Sequence, residues 1–333
     1  MENSKSAKPI VEAGILSVII VVLMIINFSF PLLGTISMFI LPIPMTILAL
    51  KHNVKTALIA VIASTILGAI LIGPITAIST LFLYGPMGIT LGYCIKKGLR
   101  AVDSIQFTSI GAVIGTISQF LIYSYLVLGS NLKGALREFY DTIMESLAMT
   151  KKMYESLGVN LEETPGFQDL FSFTFEQFML LIIPVVLISG IIMAFLNYVI
   201  SKSILRKLNI EMKPLPPFSH WYIDNRYLAG LIIITCLGII LQGNGIYGGD
   251  YLYITAIYLL QLLLIVIGIS AVSYFLMIKL HISKIPTAII LIFTFNTFGG
   301  IFMILGFVET IMDGRDIAPN SLRKFITRKF EKQ

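Results

Sequence analysis

The positive charges of this 333-residue chain all lie outside its long apolar runs. None of its 24 lysines and arginines falls within 10–30, 175–200 or 251–276. Each of these runs reaches the roughly 20 residues that a helix needs to cross the hydrocarbon core of a bilayer. The chain is therefore predicted to be an all-α, polytopic integral membrane protein with a bundle of eight or nine transmembrane segments.

The composition excludes a soluble globule and several kinds of site. Hydrophobic residues make up 56% of the chain and charged residues 13%, with a mean hydropathy of +0.90. The net charge of +6 is the expected excess of Lys and Arg in cytoplasmic loops, so it indicates no nucleic-acid partner. The two cysteines, Cys94 and Cys236, lie in apolar runs without metal-ligand spacing, which predicts neither a disulfide framework nor a metal site.

Nine hydrophobic segments are predicted, at 10–30, 32–50, 55–72, 75–95, 105–128, 175–201, 227–242, 251–278 and 285–312. Alternate connections between them carry most of the bases, and these connections are expected to be cytoplasmic. They contain Lys51 and Lys55, then Lys96, Lys97 and Arg100, then Lys202, Arg206, Lys207, Lys213 and Arg226, then Lys279 and Lys284. This distribution predicts a multi-pass protein of the bacterial inner membrane with a cytoplasmic N-terminus.

The connections divide the chain into four parts. A membrane region at 1–201 contains one long outward loop at 129–174, followed by a basic cytoplasmic loop at 202–226. A second membrane region occupies 227–312, and a basic amphipathic tail occupies 313–333. The start of the outward loop has apolar residues near a helical period, which predicts an amphipathic helix that lies on the membrane, caps the bundle or acts as a substrate lid.

The run 285–312 conflicts with the charge rule. If it crosses once, the bases of the tail lie outside; if it folds back at TFNTFGG as a re-entrant hairpin, they lie inside. Broken backbone at membrane depth is tolerated only when it is buried in protein or lines a wet cavity. Two passes of about 12 residues are too short to span, which favours a single tilted helix.

Polar residues within the segments are uncharged at mid-depth, which argues against coupling to protons through a buried carboxylate. Gln119 and Tyr123 share one helix face near the outer end of the fifth segment and are the preferred pair for binding a neutral solute, although such groups also join helices. Small residues at four-residue spacing, Gly88 with Gly92 and Gly111 with Gly115, predict close helix packing. The chain lacks the P-loop, HExxH and GxSxG motifs. We therefore expect no enzyme activity, no cofactor and no internal source of ATP energy.

The first part of the chain, 11–98, resembles the YybS-like family of bacterial membrane proteins. The resemblance rests on Glu12-Ala13-Gly14, Pro31-Leu32-Leu33, the LPIP at 41–44, Lys51-His52-Asn53, Gly73-Pro74, Gly88 with Gly92, and Lys96-Lys97-Gly98. The stretch from Gly306 to Arg315, with Glu309 and Asp313, is similar to the family's Gly, acid, acid, Arg ending.

That family is in turn similar to the substrate-binding S components of energy-coupling-factor transporters. The resemblance implies a six-helix bundle in the first region, separate coupling and ATPase subunits as partners, and a small solute bound near the outer face. Asn27, Pro74, Gln119, Tyr123 and the loop 129–174 would then surround the solute. The alternative is a non-transporting scaffold or regulator that recruits a partner through its basic segments, with membrane lipids as the remaining contact.

Overall fold

The computed structural model describes residues 3–159, 161 and 167–318, and within these ranges the chain forms helices and no strands. Nine segments of the described chain are long and apolar enough to cross a membrane. Their positions agree with the nine predicted segments, apart from their ends. The all-α, polytopic membrane fold is therefore confirmed.

Twelve α-helices carry the fold of the described residues. They are α1 (Asn3–Ser29), α2 (Pro31–Ile40), α3 (Pro42–Lys51), α4 (Val54–Ile72), α5 (Pro74–Lys96), α6 (Ala101–Ile122), α7 (Leu132–Ser156), α8 (Phe167–Phe171), α9 (Phe175–Lys207), α10 (Asn225–Gly243), α11 (Gly249–Tyr274) and α12 (Lys284–Met312). Two of them continue into a turn of π-helix, α6 at Tyr123–Val127 and α11 at Phe275–Lys279.

The chain forms two compact units. Unit 1 contains Met1–Met179 and Val185–Leu215, and unit 2 contains Leu180–Pro184 and Pro216–Gln333. The long helix α9 ends at Lys207, beyond the predicted end at 201. Its first turn is fixed by a capping box, in which Thr174 and Gln177 satisfy each other's backbone N–H groups.

Glycines bring the helices of unit 1 close together, as their spacing predicts. A Cβ atom at Gly88 would overlap the carbonyl of Pro42, and one at Gly92 would overlap the carbonyl of Thr46. Gly111 and Gly115 allow α6 to pack in the same way against the backbone of α5. Backbone approach of this kind gains van der Waals contact where lipid provides no hydrophobic drive for helix association.

The second predicted segment is interrupted but continues in one direction. Leu41, between α2 and α3, has φ −56° and ψ −37°, which are right-handed helical values. Pro42 opens α3, and because proline has no N–H, a hydrogen bond of the preceding turn is lost. The interruption therefore removes a backbone bond without reversing the chain.

The outward loop contains the predicted amphipathic helix, α7. Its N-cap is Asn131, whose side chain accepts a hydrogen bond from the backbone N–H of Gly134 at 2.8 Å. Ala135 and Leu136 are buried, whereas Phe139 and Met153 are exposed. Only the first turns of α7 are thus covered by the rest of unit 1 in the described structure.

Helix α12 does not cross in one pass, so the preference for a single tilted helix is wrong. A straight α-helix of its 29 residues would be about 42 Å long. Its first residues lie beside the C-terminal end of α11, because the N–H of Ile282 donates to the carbonyl of Leu276 at 2.9 Å. Just beyond its other end, Arg315 donates to Ser270 Oγ of α11 at 2.8 Å. Both ends of α12 therefore lie near the same end of α11.

The direction of each half of α12 follows from these contacts. A Cβ atom at Gly306 would overlap the carbonyl of Leu264, and the later residue Arg315 reaches the later residue Ser270. The second half consequently runs in the same direction as α11, whereas the first half runs against it. The break is at Phe298, which has φ −132° and ψ 36°. Of the nine candidate segments of the described chain, α12 is thus the one that folds back as a hairpin.

The predicted amphipathic tail continues from this hairpin. Its first residues, 313–318, belong to the described structure, and Asp313 ends α12 in a left-handed conformation. The rest of the tail, 319–333, lies outside the described residues.

Candidate functional site

Asn27, the first of the predicted binding residues, joins helices of unit 1. Its amide nitrogen donates to the carbonyl of Gly34 and to Ser37 Oγ, both at 3.2 Å. Asn27 thus connects α1 with α2, and its donors have protein partners.

The interior beside Asn27 is filled with side chains. Tyr84 is buried, and the same cluster contains the buried side chains of Met24, Leu41, Met45 and Met87. Such packing leaves the hydrogen bonds of Asn27 inside the helix interface rather than beside an opening.

The other three predicted residues lie apart from Asn27. Pro74 is exposed at the first position of α5, after Gly73 with φ +92°. Gln119 is half-buried, and Tyr123, at the start of the π-helical turn, is 46% exposed. Among the described residues, no hydrogen bond or ring contact joins any two of these four residues.

An open hollow lies at the outward loop, but none of the four predicted residues lines it. It has a volume of about 450 Å³ and is lined by Asn131, Lys133, Gly134, Arg137 and Phe175. These residues belong to the start of α7 and the start of α9. The loop 129–174 was predicted to contribute to a binding site. Four of its residues, together with Phe175, form the concave surface of this hollow.

The tip of the α12 hairpin carries neutral polar groups and lies toward the N-terminal half of α11. Phe298 precedes Gly306 by eight residues, which is about 12 Å of helix. Because Gly306 contacts Leu264 and Gly268, and this half of α12 runs parallel to α11, the tip lies about 12 Å nearer the N-terminal end of α11 than that contact. Asn296 and Thr297 are exposed there, and Thr297 Oγ1 donates to the carbonyl of Phe293 at 3.1 Å. The sequence shows these polar residues but not that the chain reverses at them.

A buried ionic cluster holds the returning end of the hairpin. The side chain of Arg315 is only 1% exposed, and its Nε lies 2.8 Å from Glu309 Oε1. Its Nη atoms donate to the carbonyl of Ser219 at 2.8 Å, to Ser270 Oγ at 2.8 Å and to the carbonyl of Trp221 at 2.9 Å. A buried arginine requires such a set of acceptors because an unpaired charge is very costly away from water.

The carboxylate of Asp313 stabilises the turn after the hairpin. Its Oδ1 accepts from the backbone N–H groups of Ile317 and Ala318 at 3.0 and 3.1 Å. The resemblance at the end of the chain rests on Gly306, Glu309, Asp313 and Arg315, and their role does not follow from the sequence. The sequence feature that could have indicated this cluster is the pattern of acids and an arginine directly after an apolar run.

No metal site is present in the described part of the chain, where no three His, Cys, Asp or Glu residues come together. Neutral oxygen and nitrogen groups thus dominate both the hairpin tip and the α1–α2 junction.

Comparison with known proteins agrees with this architecture. The model of the family described as "Predicted membrane protein (DUF2232)" matches residues 18–310. The chain is 22% identical to the "Uncharacterized protein YybS" of Bacillus subtilis (strain 168) over 313 residues, which is 92% of this chain and 93% of the relative. No solved structure matches significantly. The family match extends from α1 to the ionic cluster that ends α12, and the chain therefore belongs to the DUF2232 family of membrane proteins.

Proposed function

We propose that this protein is a non-enzymatic transport protein of the bacterial inner membrane that binds a small uncharged or weakly polar solute. The single observation that carries the proposal is the re-entrant hairpin of α12, with exposed Asn296 and Thr297 at its tip. Backbone that leaves the helical conformation at membrane depth needs protein or water to satisfy its polar groups. A tip that faces a wet cavity within the membrane would meet a solute there.

We also propose that the N-terminus is cytoplasmic. With a re-entrant α12, Arg315 lies on the same side as Lys279 and Lys284. The charge rule then holds for every basic connection, including the end of the chain that a single crossing would have placed outside. The hairpin removes the conflict that the sequence alone presents.

The proposed energy source is external. No P-loop is present in the sequence, so the resemblance to S components supports separate coupling and ATPase subunits as partners. In this proposal unit 1 supplies the six-segment bundle that resembles an S component. Its predicted contact Asn27 acts in helix packing, and the solute contact is assigned to the tip of α12 instead.

Cysteine accessibility in native membranes tests this proposal. Asn296→Cys would be introduced in a Cys94→Ala, Cys236→Ser background and treated with a charged methanethiosulfonate reagent, which does not enter lipid. The control is Ile304→Cys, at an exposed apolar position of the same hairpin. We expect Asn296→Cys to react and Ile304→Cys to remain unmodified. An unreactive Asn296→Cys in membranes, with normal reaction after denaturation, would count against a wet site at the tip.

The alternative function, a membrane scaffold or regulator, is supported by a different observation. Asn27 bonds with α2 beside a packed interior, which is the arrangement of a rigid bundle rather than of a solute pocket. The basic segment 202–226 would then recruit a cytoplasmic partner. Crosslinking followed by affinity purification separates the two functions: coupling and ATPase subunits support transport, and a partner of another class, in the absence of those subunits, supports the scaffold.

A further inference from the structure

We propose that the hollow between the start of α7 and the start of α9 binds a phosphate group, most directly that of a phospholipid headgroup. The hollow lies where the chain leaves the membrane after α6 and re-enters it at α9. Headgroup phosphates occupy this interfacial layer just outside the hydrocarbon core. The site is separate from the hairpin tip and does not depend on the transport proposal.

Two cations line the hollow on one face of α7. Lys133 and Arg137 are four residues apart, so their side chains project from the same side of the helix. Within the described chain, Lys133 Nζ takes part in no ion pair or hydrogen bond. Their spacing suits an anion with several acceptor oxygens, because Lys acts as a point charge and Arg as a planar fork.

The guanidinium of Arg137 is held in place before any ligand arrives. Its central carbon lies 4.9 Å from the ring centroid of Phe175 and 5.6 Å from that of Tyr140. The Tyr140 hydroxyl donates to the carbonyl of Phe173 at 2.7 Å, which fixes that ring. Preorganisation of this kind lowers the entropy lost on binding.

The remaining partner of Arg137 leaves its outer nitrogens for a ligand. Nε lies 3.3 Å from Asp141 Oδ1, in an ion pair between exposed side chains. In the described part of the chain the two Nη atoms make no hydrogen bond. Gly134 lies between Lys133 and Arg137 along the wall of the hollow and adds no side chain to it. The two Nη atoms and Lys133 Nζ are thus the donors available to a phosphate.

Lipid retention by the full-length protein tests the proposal. Detergent-purified protein would be exchanged into micelles containing phosphatidylglycerol, and the bound lipid would be counted by native mass spectrometry. Lys133→Gln and Arg137→Gln should each weaken retention about fivefold, as expected for one cation at a charged interface. The matched control is Lys152→Gln, which removes a charge from the exposed far end of the same helix.

Competition identifies the source of the phosphate. Displacement of phosphatidylglycerol by inorganic phosphate at millimolar concentration would mean that the hollow takes free phosphate, and resistance to it would mean a lipid headgroup. Diacylglycerol, which has the acyl chains but no phosphate, should not be retained. Retention by Lys133→Gln/Arg137→Gln equal to that of the wild type, or an equal loss with Lys152→Gln, would overturn the proposal. Melting curves of the variants verify that each remains folded.

Discussion

Two segments of this chain are interrupted within the membrane, and they have opposite outcomes. Between α2 and α3, Leu41 keeps helical backbone angles and the chain goes on across. In α12, Phe298 leaves the helical region and the chain turns back. The most apolar window of 32–51 is 65% buried, whereas that of α12 is only 6% buried. The segment that continues past its interruption, α2–α3, is thus largely enclosed by protein, whereas the segment that reverses, α12, is not.

The comparison of α2–α3 with α12 shows that a missing hydrogen bond does not by itself change the direction of a helix. Pro42 and Pro44 remove N–H groups, but proline fixes φ near the helical value, so the path of the chain is kept. Reversal at Phe298 is maintained by contacts elsewhere: the close approach of Gly306 to α11 and the bonds of Arg315.

The largest expected effect is the sidedness of the end of the hairpin, which is an all-or-none result. In a cysteine-free background, Asp316→Cys and Tyr222→Cys should react with an impermeant thiol reagent from the same side of the membrane. Tyr247→Cys, in the connection between α10 and α11, should react from the opposite side, because α10 lies between it and Tyr222. Labelling of Asp316→Cys from the same side as Tyr247→Cys would show instead that α12 crosses the membrane once.

Removal of the buried cation should destabilise the protein strongly. Arg315→Met leaves Glu309 and the carbonyls of Ser219 and Trp221 without their donor, and breaking a buried ion pair typically costs about 3–5 kcal/mol. Thermal unfolding in detergent would measure the loss. Arg226→Gln is the control because the Arg226 side chain is 81% exposed, and ion pairs at the surface contribute about 0–1 kcal/mol. Equal melting temperatures for the two variants would show that the cluster does not hold the hairpin.

The sequence predicts most of this architecture because hydropathy and charge are local properties. The nine apolar segments, the amphipathic α7 and the close packing at Gly88 and Gly92 all follow from residue types at short spacing. The reversal of α12 does not, because 285–312 is long and apolar enough to cross the membrane as a single helix. The contacts that decide it join Arg315 to Ser219 and Ser270, which are 96 and 45 residues away in the chain.

The partners of the candidate site residues also could not be predicted from the sequence. A polar residue at depth, such as Asn27, is visible in the sequence, but its partner is not. Whether Asn27 meets Ser37 or a solute depends on how α1 and α2 meet, and that geometry is fixed by tertiary packing. Likewise the hollow at Arg137 depends on Phe175, which follows it by 38 residues and belongs to another helix.

An intermediate effect is expected from added volume at the contact between α11 and α12. Gly306→Ala places a methyl group where the carbonyl of Leu264 lies, so the helices must separate. Overpacking of this kind costs about 1–3 kcal/mol. Gly300→Ala is the control in the same hairpin, because a Cβ atom there meets nothing within 4 Å. Unfolding curves of the two variants that coincide would contradict the close approach on which the direction of the second half of α12 rests.

The smallest effect should come from loss of the hydrogen bond between Asn27 of α1 and Ser37 of α2. Asn27→Ala and Ser37→Ala each remove one side of a hydrogen bond of 3.2 Å, and interhelical bonds in membranes contribute about 0.6 kcal/mol on average. A double-mutant cycle in detergent should therefore give a coupling energy of that order, because either substitution alone already breaks the bond. If Asn27 instead served a solute, Asn27→Ala and Ser37→Ala would be additive in stability. A measured coupling would show that Asn27 belongs to the packing that supports the interrupted segment α2–α3. Arg315 has the corresponding role at the reversal of α12.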